Sequence, residues 1–328
     1  MTSAGAETVL VTGATGGIGS AAVRGFSEAG YRVVGIDLDA EAETAADEYR
    51  SGDLLDPDVV EETVAESGAD AVVHLGTLPN PVGRPGHVTY ESNTMTTYHV
   101  LEAAANNGVE DVVVASSINA MGASFQADPM EVEYLPVDEA HPLTPRDPYA
   151  LGKRTVELQA DGFGRRGGPP HSIVSVRYPW VGSLDGLREQ FVEVDRTIEG
   201  IPDRAYATRN DLFAYIARPD AVRLLVRAVE ADVEGHETVF ASAADTTMAT
   251  PSERLAEEYY PDAECGDLPG TTSLVDCSKA RHLLGWEPKI SWRDLASDAN
   301  VAAEWQAARQ RREREGIAAA SPGRSAPF

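Results

Sequence analysis

The feature that most constrains this chain is the stretch "TVLVTGATGGIGS" at residues 8–20, in which Gly13, Gly16 and Gly19 stand three apart and Gly17 adds a further small residue. The β-branched run ends at Thr12, so the glycines fall where a strand would turn into a helix. Glycine at such a turn lets the main chain approach a pyrophosphate closely, and the N–H groups that open the next helix face its negative charge. Thr15 and Ile18 complete the loop as expected contacts. Asp37 follows Gly19 by 18 residues and closes the second strand-like run, the place of an acid that binds ribose hydroxyls. Such an acid repels a 2′-phosphate and no arginine immediately follows it, so NAD is expected over NADP, with Arg50 the cation that would have to fold back to change this. Asp53 and Leu54 in "GDLLD" are placed at the adenine edge.

Short β-branched runs at 8–12, 31–37, 70–76, 111–117, 172–178 and 238–242 alternate with longer helical patterns. That rhythm implies an α/β fold, a doubly wound Rossmann parallel sheet buried on both faces. The helical stretches "GIGSAAVRGFSEAG" and "NTMTTYHVLEAAANNG" each end at glycine, which closes helices in the left-handed conformation. Beyond Tyr178 the sequence is richer in Pro, Asp and Gly. We therefore divide it into a dinucleotide-binding domain at 1–178, a smaller C-terminal substrate lobe at 179–315 with a strand returning to the sheet near 238–242, and a loose tail at 316–328. Residues 296–315 read as a helix.

The formal net charge is −26, and only three of the 27 cationic residues are lysines. That charge repels nucleic-acid backbones and anionic membranes, so neither is expected as a partner. The acid excess with scarce lysine resembles proteins of extreme halophiles, a haloarchaeal source being the expectation. No run reaches membrane-spanning length and no leader-like segment opens the chain, so a cytoplasmic location is expected. Two cysteines and dispersed histidines give no metal-binding pattern.

One of the three lysines, Lys153, follows Tyr149 by four residues in "PYALGK", which places both on one face of a helix. A phenol is a poor base near neutrality unless positive charge favours its anion, and an adjacent ammonium supplies such charge. A hydroxyl at the end of the preceding strand is needed to hold the reacting oxygen, and "VVVASSINAMG" offers Ser116 or Ser117.

The whole pattern resembles the extended short-chain dehydrogenase/reductase family, also described as the NAD-dependent epimerase/dehydratase family. It rests on "TGATGGIG", Asp37, "GDL", "DAVVHLG", "ESNTMTTYHVLEAA", "SSINAMG", "YALGK" and "VRYPWVG", in order across residues 8–182, with "DCSKARHLLGWEPKISWRD" later. The resemblance implies that Ser117, Tyr149 and Lys153 are catalytic, with Ser116 a structural neighbour. It implies that Leu75, Gly76, Asn93 and Pro179 lie beside the cofactor, and that the protein is a homodimer through helices beginning near Asn93 and Tyr149. Ala120-Met121 replaces the family's frequent Val-Tyr, and "HLGT" replaces His-Leu-Ala-Ala.

The substrate expected from the resemblance is a small-molecule sugar. Ile118-Asn119 stands where dehydratases carry Asp-Glu, which disfavours dehydration and leaves Asn119 as a substrate contact beside Ser117 and Tyr149. The segment 179–215 is short for a nucleotide-sugar site, which favours oxidation of a free aldose or uronate. The alternative is a nucleotide-sugar epimerase of the UDP-sugar type; a non-catalytic dinucleotide-binding protein is the third reading, disfavoured because both Tyr149 and Lys153 are present. Arg177, Arg188 and Arg209 are candidates for an anionic group and equally for ordinary ion pairs.

Overall fold

A computed structural model describes residues 8–123, 125, 130–201, 203 and 208–297. Seven strands form one parallel sheet: β1 (Thr8–Thr12), β2 (Arg32–Asp37), β3 (Glu48–Ser51), β4 (Ala71–His74), β5 (Asp111–Ser117), β7 (Ser172–Tyr178) and β10 (Gly235–Phe240), in the order β10-β7-β5-β4-β1-β2-β3. Outside this sheet, β6 (Tyr134–Leu135), which lies between β5 and β7 in sequence, pairs with β11 (Glu264–Cys265), and β8 (Trp180–Gly182) pairs with β9 (Tyr215–Ala217).

Both faces of the sheet are buried, and the two-residue period of a strand sorts its side chains between two cores. Val9, Val11, Val33, Val73, Val113 and Val174 face one core with Ala22, Val23 and Phe26 of α1 (Gly19–Glu28). Leu10, Val34, Val72, Val112, Val114 and Ile173 face the other, covered by α2 (Pro57–Ser67), α3 (Gly86–Asn106) and α4 (Pro148–Gly164). The first core is closed by α6 (Arg218–Glu230) and α8 (Ser278–Leu284), which follow the short α5 (Leu184–Leu187) and α7 (Ser252–Tyr259). At roughly 1.5–3 kcal/mol per fully buried Val or Leu, this two-sided burial dominates the folding free energy.

The last described helix, α9 (Trp292–Ser297), is reached through Trp286, whose indole Nε1–H donates to the Asp220 carbonyl at 3.1 Å. The buried Asp220 carboxylate accepts from the N–H groups of Lys289 and Ile290. One residue at the start of α6 thereby holds the segment that leads into α9. A third core, containing Ile118, Met121, Leu212, Phe213, Met248 and Leu274, joins the end of β5 to the segments after 210.

Two elements differ from the sequence-based reading. β3, "EYRS", was not foreseen because it is polar; it survives as an edge strand whose Arg50 pairs with Glu48 and Glu66 at 2.6 Å each. The helix expected to begin near Asn93 begins at Gly86, directly after Pro85, so Asn93 lies two turns inside it. Three of its four threonines, poor helix formers, satisfy their hydroxyls on carbonyls one turn back: Thr94 on Tyr90, Thr96 on Ser92 and Thr97 on Asn93. The proposed continuation of the last helix to residue 315 and the tail at 316–328 lie outside the described residues.

Candidate active site at the carboxyl ends of the strands

The predicted glycine loop sits between β1 and α1, and at Gly13 and Gly19 it is packed so tightly that a side chain has no room. Gly13 has φ +67°, and a Cβ on it would lie 2.8 Å from the Gly76 backbone; one on Gly19 would lie 1.9 Å from the Gly13 carbonyl oxygen. The first turn is closed by Gly16 N–H donating to Gly13 O at 3.0 Å. Asp37, at the end of β2, accepts from the Thr15 N–H at 2.9 Å and the Thr15 hydroxyl at 2.5 Å, so the acid and the loop form one unit. Ile18 is the residue at which α1 opens.

Gly76 and Leu75 form the opposite wall. Thr12 Oγ1 accepts from both of their N–H groups at 3.1 Å and lies 2.8 Å from His74 Nδ1. With its oxygen accepting, the Thr12 hydroxyl proton goes to Nδ1, which assigns the proton of the ring to Nε2, facing Thr96 Oγ1 at 3.5 Å. Burial, then the Lys153 charge, takes His74 down to about 3, so it is neutral. The Leu54 side chain lies against Gly76, and the Leu54 carbonyl is 2.9 Å from His99 Nδ1. The exposed Asp53 accepts from the Leu55 N–H, a local turn bond.

Asn93 holds the next segment from beneath, bonding both the N–H and the carbonyl of Leu78. That segment presents Thr77, whose hydroxyl accepts from the Lys153 ammonium at 3.0 Å; the ammonium also donates to the Ala115 carbonyl at 2.7 Å. Sequence reasoning did not identify Thr77 or Ala115 as the partners of Lys153.

Tyr149 and Lys153 are presented by the first turns of α4. Asp147 caps that helix by accepting from the N–H groups of Tyr149 and Ala150 at 2.9 Å each, and Pro148 occupies the first helical position. The "DPY" sequence carried that signal. Both functional side chains are buried. Burial pushes the Tyr149 phenol up to about 12; its hydrogen bond with Ser117 acts in the opposite direction, and the charges of Asp147 and Asp211 add to the rise. Burial takes Lys153 down to about 7, against the pull of Glu157.

The two serines at the end of β5 point to different partners. Ser116 donates to Glu157 Oε1 at 2.8 Å, while Ser117 lies beside Tyr149, donates to the Tyr178 carbonyl at 3.3 Å, and accepts from Asn119 Nδ2 at 3.1 Å. Asn119 Oδ1 is buried without a protein partner, an acceptor available to a hydroxyl. Pro179 is buried at the end of β7, and Phe125 stands edge-on to the Tyr149 ring. Of the candidate arginines, Arg177 is engaged by Glu157 and Arg188 by Asp185 at 3.1 Å.

These residues converge at the carboxyl ends of β1, β2, β4, β5 and β7, where an open parallel sheet binds ligands. The arrangement fits a dinucleotide: a side-chain-free cradle at the opening of a helix, an acid at the end of β2, and a hydroxyl, phenol and ammonium beyond. Arg50, fixed by Glu48 and Glu66, is not available to a 2′-phosphate. A cavity of about 1100 Å³ between α1, α6 and residues 281–289 contains neither Tyr149 nor Lys153. Among the described residues there is no metal-ligating cluster and no helix long and apolar enough to cross a membrane.

The model of the NAD dependent epimerase/dehydratase family matches residues 9–241. The chain is 26% identical to the UDP-glucose 4-epimerase of Bacillus subtilis over 89% of its own length and 95% of that enzyme. It is 32% identical to UDP-glucose 4-epimerase 2 of Oryza sativa subsp. japonica, over 53% of this chain and 44% of that one. Among solved structures, a short-chain dehydrogenase/reductase superfamily protein of Agrobacterium tumefaciens with bound NAD superposes with a TM-score of 0.67 at 23% identity, covering 93% of this chain and 99% of that one. A mutated uronate dehydrogenase superposes at 0.61 with 25% identity, covering 90% and 86%.

Proposed function

Because the chain belongs to the NAD dependent epimerase/dehydratase family, we propose that it oxidises a hydroxyl of a nucleotide-linked sugar with NAD as cofactor and that its overall reaction is epimerisation. The observation that carries this reading is the match to a UDP-glucose 4-epimerase across 95% of that enzyme, which extends past the sheet into the segments after 178. It revises the preference for a free aldose or uronate drawn from the short 179–215 segment. Segment length alone is a weak guide to the leaving group a sugar carries.

A bound NAD would supply the hydride acceptor for the carbon that bears the hydroxyl and, for epimerisation, the hydride donor to the opposite face of that carbon. Tyr149 accepts the hydroxyl proton as that carbon is oxidised and gives it back on reduction. Ser117 hydrogen-bonds the same oxygen and orients it, and the unpartnered Asn119 Oδ1 accepts from a neighbouring sugar hydroxyl. Lys153 fixes Thr77 and Ala115 and holds the ribose. The glycine loop with Thr15 and Ile18 takes the pyrophosphate and Asp37 the adenosine ribose; Asp53, Leu54, Leu75, Gly76, Asn93 and Pro179 shape the walls around them.

A second reading, oxidation of a uronate, is supported by the uronate dehydrogenase neighbour at 25% identity. Incubation with NAD and a panel of UDP-sugars, aldoses and uronates, at low and at molar salt, separates the readings by absorbance of the reduced nicotinamide and by product analysis. Interconversion of UDP-sugars without net NADH supports epimerisation. Net NADH with a uronate and no interconversion would replace it with the second reading, and neither result would leave a binding protein.

A further inference from the structure

The chain carries 53 acidic residues against 27 basic ones, so an arginine without an acid is a conspicuous object. Along the cavity between α1, α6 and residues 281–289, Arg223 pairs with Asp220, Arg227 with Glu230 and Arg281 with Glu287. Arg24 and Arg218 line the same cavity with no carboxylate paired to either among the described residues; Arg24 is exposed, whereas the Nε of Arg218 is buried with no hydrogen-bond partner.

Arg218 is the first residue of α6, and its guanidinium reaches the glycine loop, where a Cβ built on Gly17 would lie 3.7 Å from Nη2 and meet nothing else. A guanidinium placed beside the opening turns of α1 and α6 stands at the positive ends of two helices, which is unfavourable unless an anion lies between them. The group that the loop is built to receive is doubly anionic.

We propose that Arg218 is a cofactor-binding residue whose guanidinium hydrogen-bonds the pyrophosphate of the dinucleotide, adding a side-chain clamp to the backbone N–H groups of the loop. The proposal rests on the NAD reading above and deepens it. Charge-assisted bonds from arginine to phosphate oxygens are among the stronger polar contacts, and removing one weakens binding by about tenfold or more.

The test is calorimetric binding to the unliganded protein, with NAD, ADP-ribose and adenosine as probes. Adenosine keeps the base and ribose but has no phosphate. Arg218→Gln is expected to bind NAD and ADP-ribose about tenfold more weakly while its affinity for adenosine is unchanged. Arg218→Lys, which keeps the charge, should fall between the two and provides the comparison if the glutamine variant does not fold. Unchanged affinity for ADP-ribose overturns the proposal, as does an equal loss for adenosine, which would indicate general damage. Failure of the wild-type chain to bind NAD or ADP-ribose at all would instead remove the cofactor reading on which the proposal stands.

Discussion

The Lys153 ammonium lies 5.7 Å from the centre of the Tyr149 ring, yet its hydrogen bonds go to the Ala115 carbonyl and the Thr77 hydroxyl. The pair is therefore one turn apart on one helix without being bonded to each other. The sequence suggested that the ammonium lowers the tyrosine pKa. In the structure burial dominates both groups and moves each towards its neutral form, the phenol to about 12 and the ammonium to about 7. Positive charge brought in with a ligand would favour the phenolate, and an oxidised nicotinamide would carry such charge.

Tyr149→Phe removes the proton acceptor and keeps the ring that packs against Phe125. Turnover is expected to fall by about 10²–10⁴, the usual contribution of a positioned acid–base group. NAD affinity should stay within about threefold, because the phosphate cradle and Asp37 are untouched. Steady-state rates and calorimetric titration check the two halves, and undiminished turnover would rule the assignment out.

If ligand-borne charge activates Tyr149, binding and ionisation are linked. Near pH 9 the phenol of the unliganded protein is protonated, since its pKa stands near 12. Positive charge beside it lowers that value, so NAD is expected to release protons on binding and to bind more tightly as pH rises towards 9. NADH, whose ring is neutral, should release fewer. Titrations in buffers of different ionisation heat measure the proton count, and the NAD–NADH difference should vanish in Tyr149→Phe.

The parts legible in the sequence were those with a local cause. Gly13, Gly19 and Asp37 announce themselves because a tight turn, close backbone packing and a ribose-binding acid each demand one residue type at one spacing. Tyr149 and Lys153 follow from helical periodicity. What stayed hidden depends on contacts between distant segments: Thr77 meets Lys153 across 76 residues, and Arg218 meets Gly17 across some two hundred. β3 was missed for a different reason, since a polar edge strand lacks the apolar alternation by which strands are recognised. The choice of sugar stayed open because it resides in a lobe whose pattern is set by packing rather than by a spaced motif.

The outer faces of α3 and α4 expose apolar side chains, Tyr90 and Met95 on the first and Leu151 and Leu158 on the second. We propose that these faces pair in a homodimer, which would remove that surface from water. Leu158, 57% exposed, is the most accessible of them. Leu158→Lys is expected to shift the mass measured by light scattering from dimer to monomer and to leave the fold intact. A wild-type chain that runs as a monomer at high micromolar concentration would end this reading.

Glu157 is 1% exposed and accepts from Arg177 Nε at 2.7 Å and Nη2 at 2.9 Å, from Ser116 at 2.8 Å and from Arg154 at 3.3 Å. Burial by itself would raise its pKa, but the Arg177 contact and the other donors outweigh it, and the carboxyl is held below its ordinary 4.5. A depressed carboxyl stabilises the fold above the unfolded value and loses that contribution as pH falls through the folded one. Glu157→Ala leaves the Arg177 charge, 2% exposed, with no counter-ion, and removal of one partner from a buried pair costs about 3–5 kcal/mol. Denaturant unfolding at pH 7 should report a loss of that order. Because the variant has no carboxylate left to titrate here, its stability should fall less steeply than the wild type's below about pH 4.5; parallel profiles would show that the pair does not carry the acid sensitivity assigned to it.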